Sequence, residues 1–144
     1  MNLTKNGSKQ FEKVWENYLI DDARLVIVAF GTSARIAKGA IKRVREMGLK
    51  VGLLRPKTLW PFPKQPLEEL SRVVRHLLVF EMNAGQMVED VELAVKGQAD
   101  VHFYGRPGGV IPTPEDVAHQ ITHYYYGAHL HQEGGGSRFM GGLS

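Results

Sequence analysis

Runs of apolar residues alternate with amphipathic stretches along the chain, and this alternation constrains the fold more than any other feature. The six consecutive apolar residues Leu25–Phe30 are typical of a strand that is covered on both faces. Shorter runs at Val51–Leu54 and Leu77–Phe80 predict two more strands. In Val101–Tyr104 apolar residues alternate with His102 and Tyr104, which predicts a fourth strand at an edge of the sheet. Apolar residues at helical spacing lie between the strands, and the helix before the third strand is expected to bury Val73. This order predicts an α/β fold with a mostly parallel sheet and helices on both faces.

Polar residues and prolines mark the predicted starts of the helices. Thr32 or Ser33 is expected to cap the helix after the first strand. Asn83 and Gln86 resemble a capping box that opens a later helix. Thr113–Asp116 supplies a capping threonine, a proline at the first helical position and acids at the positive end of the helix dipole. This stretch predicts the start of the last helix.

The two ends of the chain differ from its centre. Apolar residues between Phe11 and Leu19 recur at helical spacing, so we predict an N-terminal helix and linker over residues 1–22. The α/β domain is predicted to occupy residues 23–126. Beyond it, glycine clusters at Gly134–Gly136 and Gly141–Gly142 predict a flexible tail over residues 127–144.

The composition narrows the classes of function. The chain has no cysteine, which removes disulfides, thiol catalysis and cysteine-bound iron–sulfur clusters or zinc. Its net charge of +3 comes from interspersed charges, so no nucleic-acid partner is expected. Without an apolar run of membrane length or a signal peptide, we expect a cytoplasmic protein with no membrane partner. We interpret the densest basic stretch as a solvated helix face, with weak anion contact as the alternative; it comprises Lys38, Lys42, Arg43 and Arg45.

Polar and glycine-rich loops follow each predicted strand. Ligands of open α/β sheets gather beyond the carboxyl ends of the strands, so these loops are candidates for ligand or partner contact, although ordinary turns have the same composition. Arg55 and Arg106 each precede a proline, and either guanidinium can hold a carboxylate or phosphate, or form a structural ion pair, for instance with Glu81. The stretch Trp60–Pro63 is a stiff aromatic loop that either fills the domain's own core or docks on another surface.

No catalytic group of residues emerges from the sequence. Glu81 is a lone acid after an apolar strand, and the sequence names no partner for it as a general acid or base. Four histidines are weak candidates for a metal site, but they lack a nearby carboxylate and extend into the predicted tail, so no metal is predicted; they are His119, His123, His129 and His131.

Three ordered motifs carry a resemblance to a known family. The chain contains VAFGTSARIAKGAIKRVREMGLKVGLLRPKTLWPFP, then VFEMNAGQMVEDV, then VHFYGRPGGVIPTPED. Together they resemble the C-terminal domain of the alpha-type subunit of 2-oxoacid:ferredoxin oxidoreductases, especially the 2-oxoisovalerate and 2-oxoglutarate branches. The resemblance covers Ala23 to Ile121 and implies a three-layer α/β/α sandwich like the C-terminal domain of transketolase.

The resemblance also implies a reaction for the whole enzyme. Members of this family oxidatively decarboxylate a 2-oxoacid with thiamine diphosphate, transfer the acyl group to coenzyme A and reduce ferredoxin through iron–sulfur clusters. Nothing in the chain resembles the motif that binds the diphosphate and its magnesium, so no cofactor is expected on this chain. Positions in the matching loops that are candidates to face a partner or ligand are Thr32, Arg55, Trp60, Phe62, Glu81, Asn83, Gln86, Arg106 and Gly108.

We therefore expect a non-catalytic structural or assembly domain that is inactive alone. Its expected partners are the other domains or subunits of the oxidoreductase, with ferredoxin and coenzyme A as indirect partners and a homo-oligomer as a further option. The alternative is a free-standing α/β module that binds a nucleotide or a coenzyme-A-like ligand in the crevice at the strand ends.

Overall fold

The computed structural model describes residues 14–59, 62–82, 86–105 and 110–132, and for Gln86 only the backbone. Strands and helices alternate through these residues after a first strand. The strands are β1 (Trp15–Tyr18), β2 (Leu25–Ala29), β3 (Val51–Pro56), β4 (His76–Glu81) and β5 (Asp100–Gly105). The helices are α1 (Thr32–Glu46), α2 (Lys64–Leu70), α3 (Gln86–Val95) and α4 (Pro114–Gly127).

The strands form one sheet in the order β1-β3-β2-β4-β5. Strands β2 to β5 are parallel to their neighbours, and only β1 pairs antiparallel, with β3. The predicted, mostly parallel sheet is therefore confirmed, and so is the position of the strand at 101–104 on an edge. From β2 the chain adds β3 on one side, and it then crosses back over β2 to add β4 and β5 on the other side. The direction in which successive strands are added therefore reverses between β2 and β4.

Two apolar cores lie on opposite faces of the sheet. One contains the inward residues of α1 and α4, such as Ile41 and Ile121, against Ile27 and Phe80 of the sheet. The other contains residues of α2 and α3 with the alternate strand positions, such as Val28. Helices thus cover both faces, and the fold is a three-layer α/β/α sandwich.

The two capping predictions that fall on described residues have different outcomes. Thr113 Oγ1 accepts from the Asp116 backbone N–H at 3.1 Å, and the Asp116 carboxylate accepts from the Thr113 N–H at 3.0 Å. This capping box confirms the predicted start of the last helix. The predicted cap of α1 is wrong, because Gly31 is its N-cap and no side chain caps it.

The predicted N-terminal helix is wrong where it can be compared, since Trp15–Tyr18 is strand β1. Its residues pair with Leu53–Pro56 of β3, which supply the hydrogen bonds that a helix would make internally. Trp15 packs against one core and Tyr18 against the other. Residues 1–13 lie outside the described residues.

Two further boundaries differ from the sequence predictions. The helix before β4 was expected to bury Val73, but α2 ends at Leu70 and Val73 is 78% exposed in the following turn. The predicted tail begins with an ordered segment, because Arg24 Nη1 donates to the carbonyls of Leu130 (2.7 Å) and Gln132. Residues 133–144 lie outside the described residues.

Side chains bind the backbone around the amino ends of β2 and β3, a region that we call the amino edge. Arg45 donates to the carbonyl oxygens of Val51 and Leu19, each at 2.9 Å, and its Nη2 lies 2.7 Å from a carboxylate oxygen of Asp22. The backbone N–H of Lys50 donates to the Tyr125 hydroxyl at 3.0 Å. These bonds connect the segments that lead into β2 and β3 to helices α1 and α4. They also satisfy backbone groups that the sheet leaves unpaired.

Candidate functional site

The carboxyl ends of the parallel strands define the opposite side of the sheet, which we call the carboxyl edge. The chain leaves β2 at Phe30 and Gly31, β3 at Pro56 and β4 at Glu81. The reversal of strand order between β2 and β4 leaves a crevice here, the usual place for ligands in open α/β sheets. The predicted candidate residues on β3 and β4, and at the start of α1, therefore do lie along this edge.

A surface cleft of about 210 Å³ lies between the first turns of α1 and the end of β3. It is lined by Gly31, Ala34, Arg35, Lys38 and Arg55, and we call it the cationic cleft. Three of these five lining residues carry a positive charge, and none is acidic. Of the cleft residues, Arg55 was a predicted candidate, and Lys38 belongs to the basic stretch for which anion contact was the alternative.

Arg55 forms an ion pair with the strand next to it. Its Nη1 lies 2.8 Å from Oε1 of Glu16, directly opposite on β1 in the antiparallel register. A pair between Arg55 and Glu81, which we considered from the sequence, is not formed. The Arg55 hydrogen bond, with the positive charges of Lys38, Arg55 and Lys57, holds the pKa of Glu16 below its usual value, although partial burial opposes this. The positive charges around the cleft therefore favour the ionised form of Glu16.

The basic stretch of α1 divides between different roles. Lys38 Nζ lies 4.9 Å from the centre of the Tyr18 ring, a cation–π distance. Arg45 binds the amino edge, and its side chain is only 22% exposed. The prediction of a solvated face is therefore wrong for Lys38 and Arg45, whereas Lys42 and Arg43 are exposed as expected.

Glu81 is buried, 8% exposed, at the end of β4. Its Oε2 accepts from the backbone N–H of Met87 at 3.0 Å, so the carboxyl group satisfies a backbone donor in the first turn of α3. Burial raises the pKa of Glu81, and the hydrogen bonds from the N–H groups of Met87 and Val88 oppose this rise. The negative charge of Asp90 adds to the rise. The Glu81 carboxyl group therefore has a structural partner in the backbone of α3.

The remaining predicted positions are placed as follows. Thr32 is exposed as the first residue of α1. Phe62 is half-buried and packs against the core on the α2 and α3 side, so this part of the aromatic loop fills the domain's own core. Gln86 is the first residue of α3. Trp60, Asn83, Arg106 and Gly108 lie outside the described residues.

The four candidate histidines do not converge on one site, although the ring centres of His129 and His131 lie 6.3 Å apart. His123 and His131 pack against tyrosine rings, and His119 borders a shallow cavity beside Tyr104. Throughout the described residues, no group of three or more His, Asp or Glu side chains is arranged to hold a metal ion. These residues therefore offer no magnesium site of the kind that thiamine diphosphate requires, and we derive no chemical step through that cofactor on this chain.

Large apolar side chains are exposed in segments that follow the parallel strands. Phe30 follows β2, Leu59 follows β3, and Val110 and Ile111 precede α4 after β5. Their exposed fractions range from 38% for Phe30 to 64% for Ile111. The carboxyl edge therefore combines positive charge with exposed apolar surface, which suits contact with another molecule.

In the described part of the chain, no helix has the length and apolar character needed to cross a membrane.

Sequence reasoning missed Arg35 and Glu16 as members of this edge. Arg35 precedes the stretch of α1 that we recognised as basic, and its closeness to Arg55 depends on how α1 packs on the sheet. Glu16 reaches the edge only because β1 is a strand in register with β3. The one available signal was the helical spacing of Arg35 and Lys38, which places both side chains on one face of α1.

Comparison with known proteins gives consistent matches. Residues 23–117 match the family described as pyruvate:ferredoxin oxidoreductase core domain II. Over 107 residues the chain is 42% identical to the ketoisovalerate oxidoreductase subunit VorB of Methanothermobacter marburgensis, covering 74% of this chain and 30% of that protein. It is 35% identical over 101 residues to the 2-oxoglutarate synthase subunit KorA of the same organism, covering 70% of this chain and 27% of that protein. The chain thus spans less than a third of these relatives.

Comparison with solved structures identifies the fold. A 2-oxoglutarate:ferredoxin oxidoreductase from Magnetococcus marinus, with 2-oxoglutarate, coenzyme A and succinyl-CoA bound, superposes with a TM-score of 0.65 and 23% identity. The match covers 83% of this chain and 21% of that one. A split-gene transketolase, an inactive beta4 tetramer, superposes with a TM-score of 0.60 and 15% identity, covering 75% and 40% of the two chains. The fold is therefore transketolase-like, as the sequence resemblance implied.

Proposed function

The chain belongs to the pyruvate:ferredoxin oxidoreductase core domain II family, and from this premise we propose that it is a structural and assembly domain of a thiamine-diphosphate-dependent 2-oxoacid:ferredoxin oxidoreductase. The whole enzyme would convert a 2-oxoacid and coenzyme A into an acyl-CoA and CO2 while ferredoxin is reduced. The family match over residues 23–117 is the observation that carries this proposal. The similarity to subunits of ketoisovalerate and 2-oxoglutarate enzymes supports it.

We propose that other parts of the enzyme carry out the reaction itself. The described residues offer no metal site, and the whole chain contains no cysteine with which to bind a cluster. The one buried acid at the carboxyl edge, Glu81, binds the first turn of α3. Since the matched relatives are more than three times as long as the matched region, the cofactor-binding parts have ample room elsewhere in such proteins.

The role we propose for this chain is to present its carboxyl edge to another domain or subunit. Exposed Phe30, Leu59, Val110 and Ile111 supply apolar contact area there, and the cationic cleft lies on the same side of the sheet. Ferredoxin and coenzyme A would be reached through those partners, in the cytoplasm. The positions proposed to contribute to this contact or to face a ligand are Thr32, Arg55, Trp60, Phe62, Glu81, Asn83, Gln86, Arg106 and Gly108.

Reconstitution tests the proposal directly. The purified chain is mixed with the thiamine-binding and iron–sulfur parts of a ketoisovalerate-type enzyme that lacks this domain, and reduction of a viologen dye is followed with 2-oxoisovalerate and coenzyme A. We expect no turnover from the chain alone, none or little from the incomplete enzyme, and activity from the mixture. Turnover by the chain alone, or full activity of the enzyme without it, would rule out the assembly role.

A further inference from the structure

We propose that the cationic cleft binds the phosphate group of an organic phosphate or pyrophosphate. This inference concerns the chain's own residues and does not depend on the oxidoreductase role. The cleft brings Arg35 and Lys38 of α1 together with Arg55 of β3 around one cavity. Phosphate groups carry more than one negative charge near neutral pH and accept several charge-assisted hydrogen bonds, which matches a cavity with three positive side chains.

The positive charges of the cleft are only partly neutralised. Glu16, paired with Arg55, is the one acid that contacts these three cations among the described residues. Arg35 forms no ion pair with any acid in the described ranges, and Lys38 is held against the Tyr18 ring, a contact that leaves its charge in place. Three cations against one carboxylate leave two positive charges in excess, which suits a dianion better than a single carboxylate.

The shape of the cleft favours a compact anion. Its volume of about 210 Å³ is below the range of roughly 300–1,000 Å³ that is usual for sites enclosing a whole drug-sized ligand. Gly31 lies in its wall, and a Cβ built there would meet no atom within 4 Å, so the backbone of the first turn of α1 is open to approach. The cleft therefore fits the phosphate end of a ligand whose remainder extends outside.

Substitution of Glu16 tests the proposal, because an anion site predicts the direction in which the affinity changes. Its carboxylate already occupies Nη1 of Arg55 at 2.8 Å, so a bound phosphate has to compete with it. Glu16→Gln removes the competing negative charge and keeps the size of the side chain. If the cleft is an anion site, this substitution tightens binding, whereas a purely structural role for the Arg55–Glu16 pair predicts no gain in affinity.

The experiment is calorimetric titration of the 144-residue chain with inorganic pyrophosphate at constant ionic strength. We expect saturable binding of one pyrophosphate per chain. Arg35→Gln should weaken it by about tenfold or more, the effect of losing one charged hydrogen-bond donor. Arg43→Gln is the matched control, because Arg43 lies on the exposed face of the same helix, outside the cleft, and forms a 3.9 Å pair with Glu115. It should change the affinity by less than about twofold, the effect expected of a distant screened charge.

The other outcomes overturn the proposal. Equal weakening by Arg35→Gln and Arg43→Gln would show attraction to the general positive charge of the helix and no site. Absence of saturable binding, or unchanged affinity in Glu16→Gln, would also contradict it. A glutamate-rich peptide titrated in parallel separates a second possibility: if it binds through Arg35 more tightly than pyrophosphate does, the cleft is a docking point for an acidic protein segment.

Discussion

The two edges of the sheet use similar side chains for different purposes. At the amino edge, Arg45 and Arg24 donate to backbone carbonyl oxygens, and the Tyr125 hydroxyl accepts from the backbone of Lys50. At the carboxyl edge, Arg35 has no such acceptor among the described residues, and Arg55 pairs with a side chain. Cations that bind the chain's own carbonyls stabilise the fold, whereas cations that surround a cleft remain available to an outside anion.

This difference explains why residue type alone does not identify a functional arginine. A guanidinium satisfied by buried or half-buried carbonyls cannot leave them without a loss of stability, because those acceptors would be left unpaired. A guanidinium beside an open cleft can exchange water for a ligand at little cost to the fold. We therefore expect amino-edge substitutions to change stability and carboxyl-edge substitutions to change binding.

The largest expected effect is at Gly52, on the amino edge. A Cβ at this position would lie 2.6 Å from the carbonyl oxygen of Leu19, and that oxygen is also bonded by Arg45. Gly52→Ala should therefore lower the free energy of unfolding by about 3 kcal/mol through overpacking against a backbone that cannot yield. Chemical denaturation followed by circular dichroism measures this.

Gly39→Ala, within α1, is the control for that substitution. A Cβ at Gly39 would lie 3.5 Å from the side chain of Pro114, an ordinary contact. The substitution should stabilise the protein by up to about 1 kcal/mol, because alanine is the better helix former. A loss of stability as large as that in Gly52→Ala would contradict the steric explanation.

The next effect compares two arginines of the same helix. Arg45→Ala should lower the free energy of unfolding by about 2 kcal/mol, since it removes charged hydrogen bonds to two carbonyls. Arg35→Ala should change it by less than about 0.5 kcal/mol, as for an ordinary surface substitution. Urea titration of both variants checks this, and equal losses would remove the distinction between the edges.

The smallest effect concerns pH and compares the two ends of β4. Glu81, at the carboxyl end, has a pKa raised by burial above 4.5, so from about pH 4.5 up to that pKa the folded state binds more protons than the unfolded state. Stability from this group therefore falls as pH rises. Glu81→Gln keeps an acceptor for the Met87 N–H and removes this fall.

His76, at the amino end of β4, contributes the opposite slope. Burial lowers its pKa below 6.5, opposed by the charge of Asp100, so just below pH 6.5 the unfolded state binds more protons and stability rises with pH. Thermal unfolding between pH 4.5 and 6.5 should thus show a steeper rise in Glu81→Gln than in the natural protein. An unchanged or shallower rise would contradict the upward shift of the Glu81 pKa.

The βα rhythm could be predicted from local pattern because each unit carries its own signals. Apolar runs predicted β2, β3 and β4, and alternation with His102 and Tyr104 predicted β5. Thr113–Asp116 predicted the start of α4, since its capping box is made within four residues. Strand β1 could not be predicted in this way. The spacing of Trp15 and Tyr18 suits a helix, and only pairing with β3, nearly forty residues away, makes these residues a strand.

The candidate site, too, could be predicted only in part from the sequence. The carboxyl edge as a whole could be predicted, because parallel strands bring their loops to one side. The partners of its charged residues could not, since Arg55 pairs with Glu16 across an antiparallel register and Glu81 bonds to a helix turn. Such contacts depend on packing that no local motif records.

Hydrogen exchange is the most direct test of the claim that the carboxyl edge is the contact edge. The chain is measured alone and after reconstitution with the thiamine-binding part of the enzyme. We predict slower exchange at the amides of Gly31, Leu59, Val110 and Ile111, and no change at Lys50, whose N–H the Tyr125 hydroxyl already holds. Protection confined to the amino edge, in a mixture with restored activity, would contradict the account.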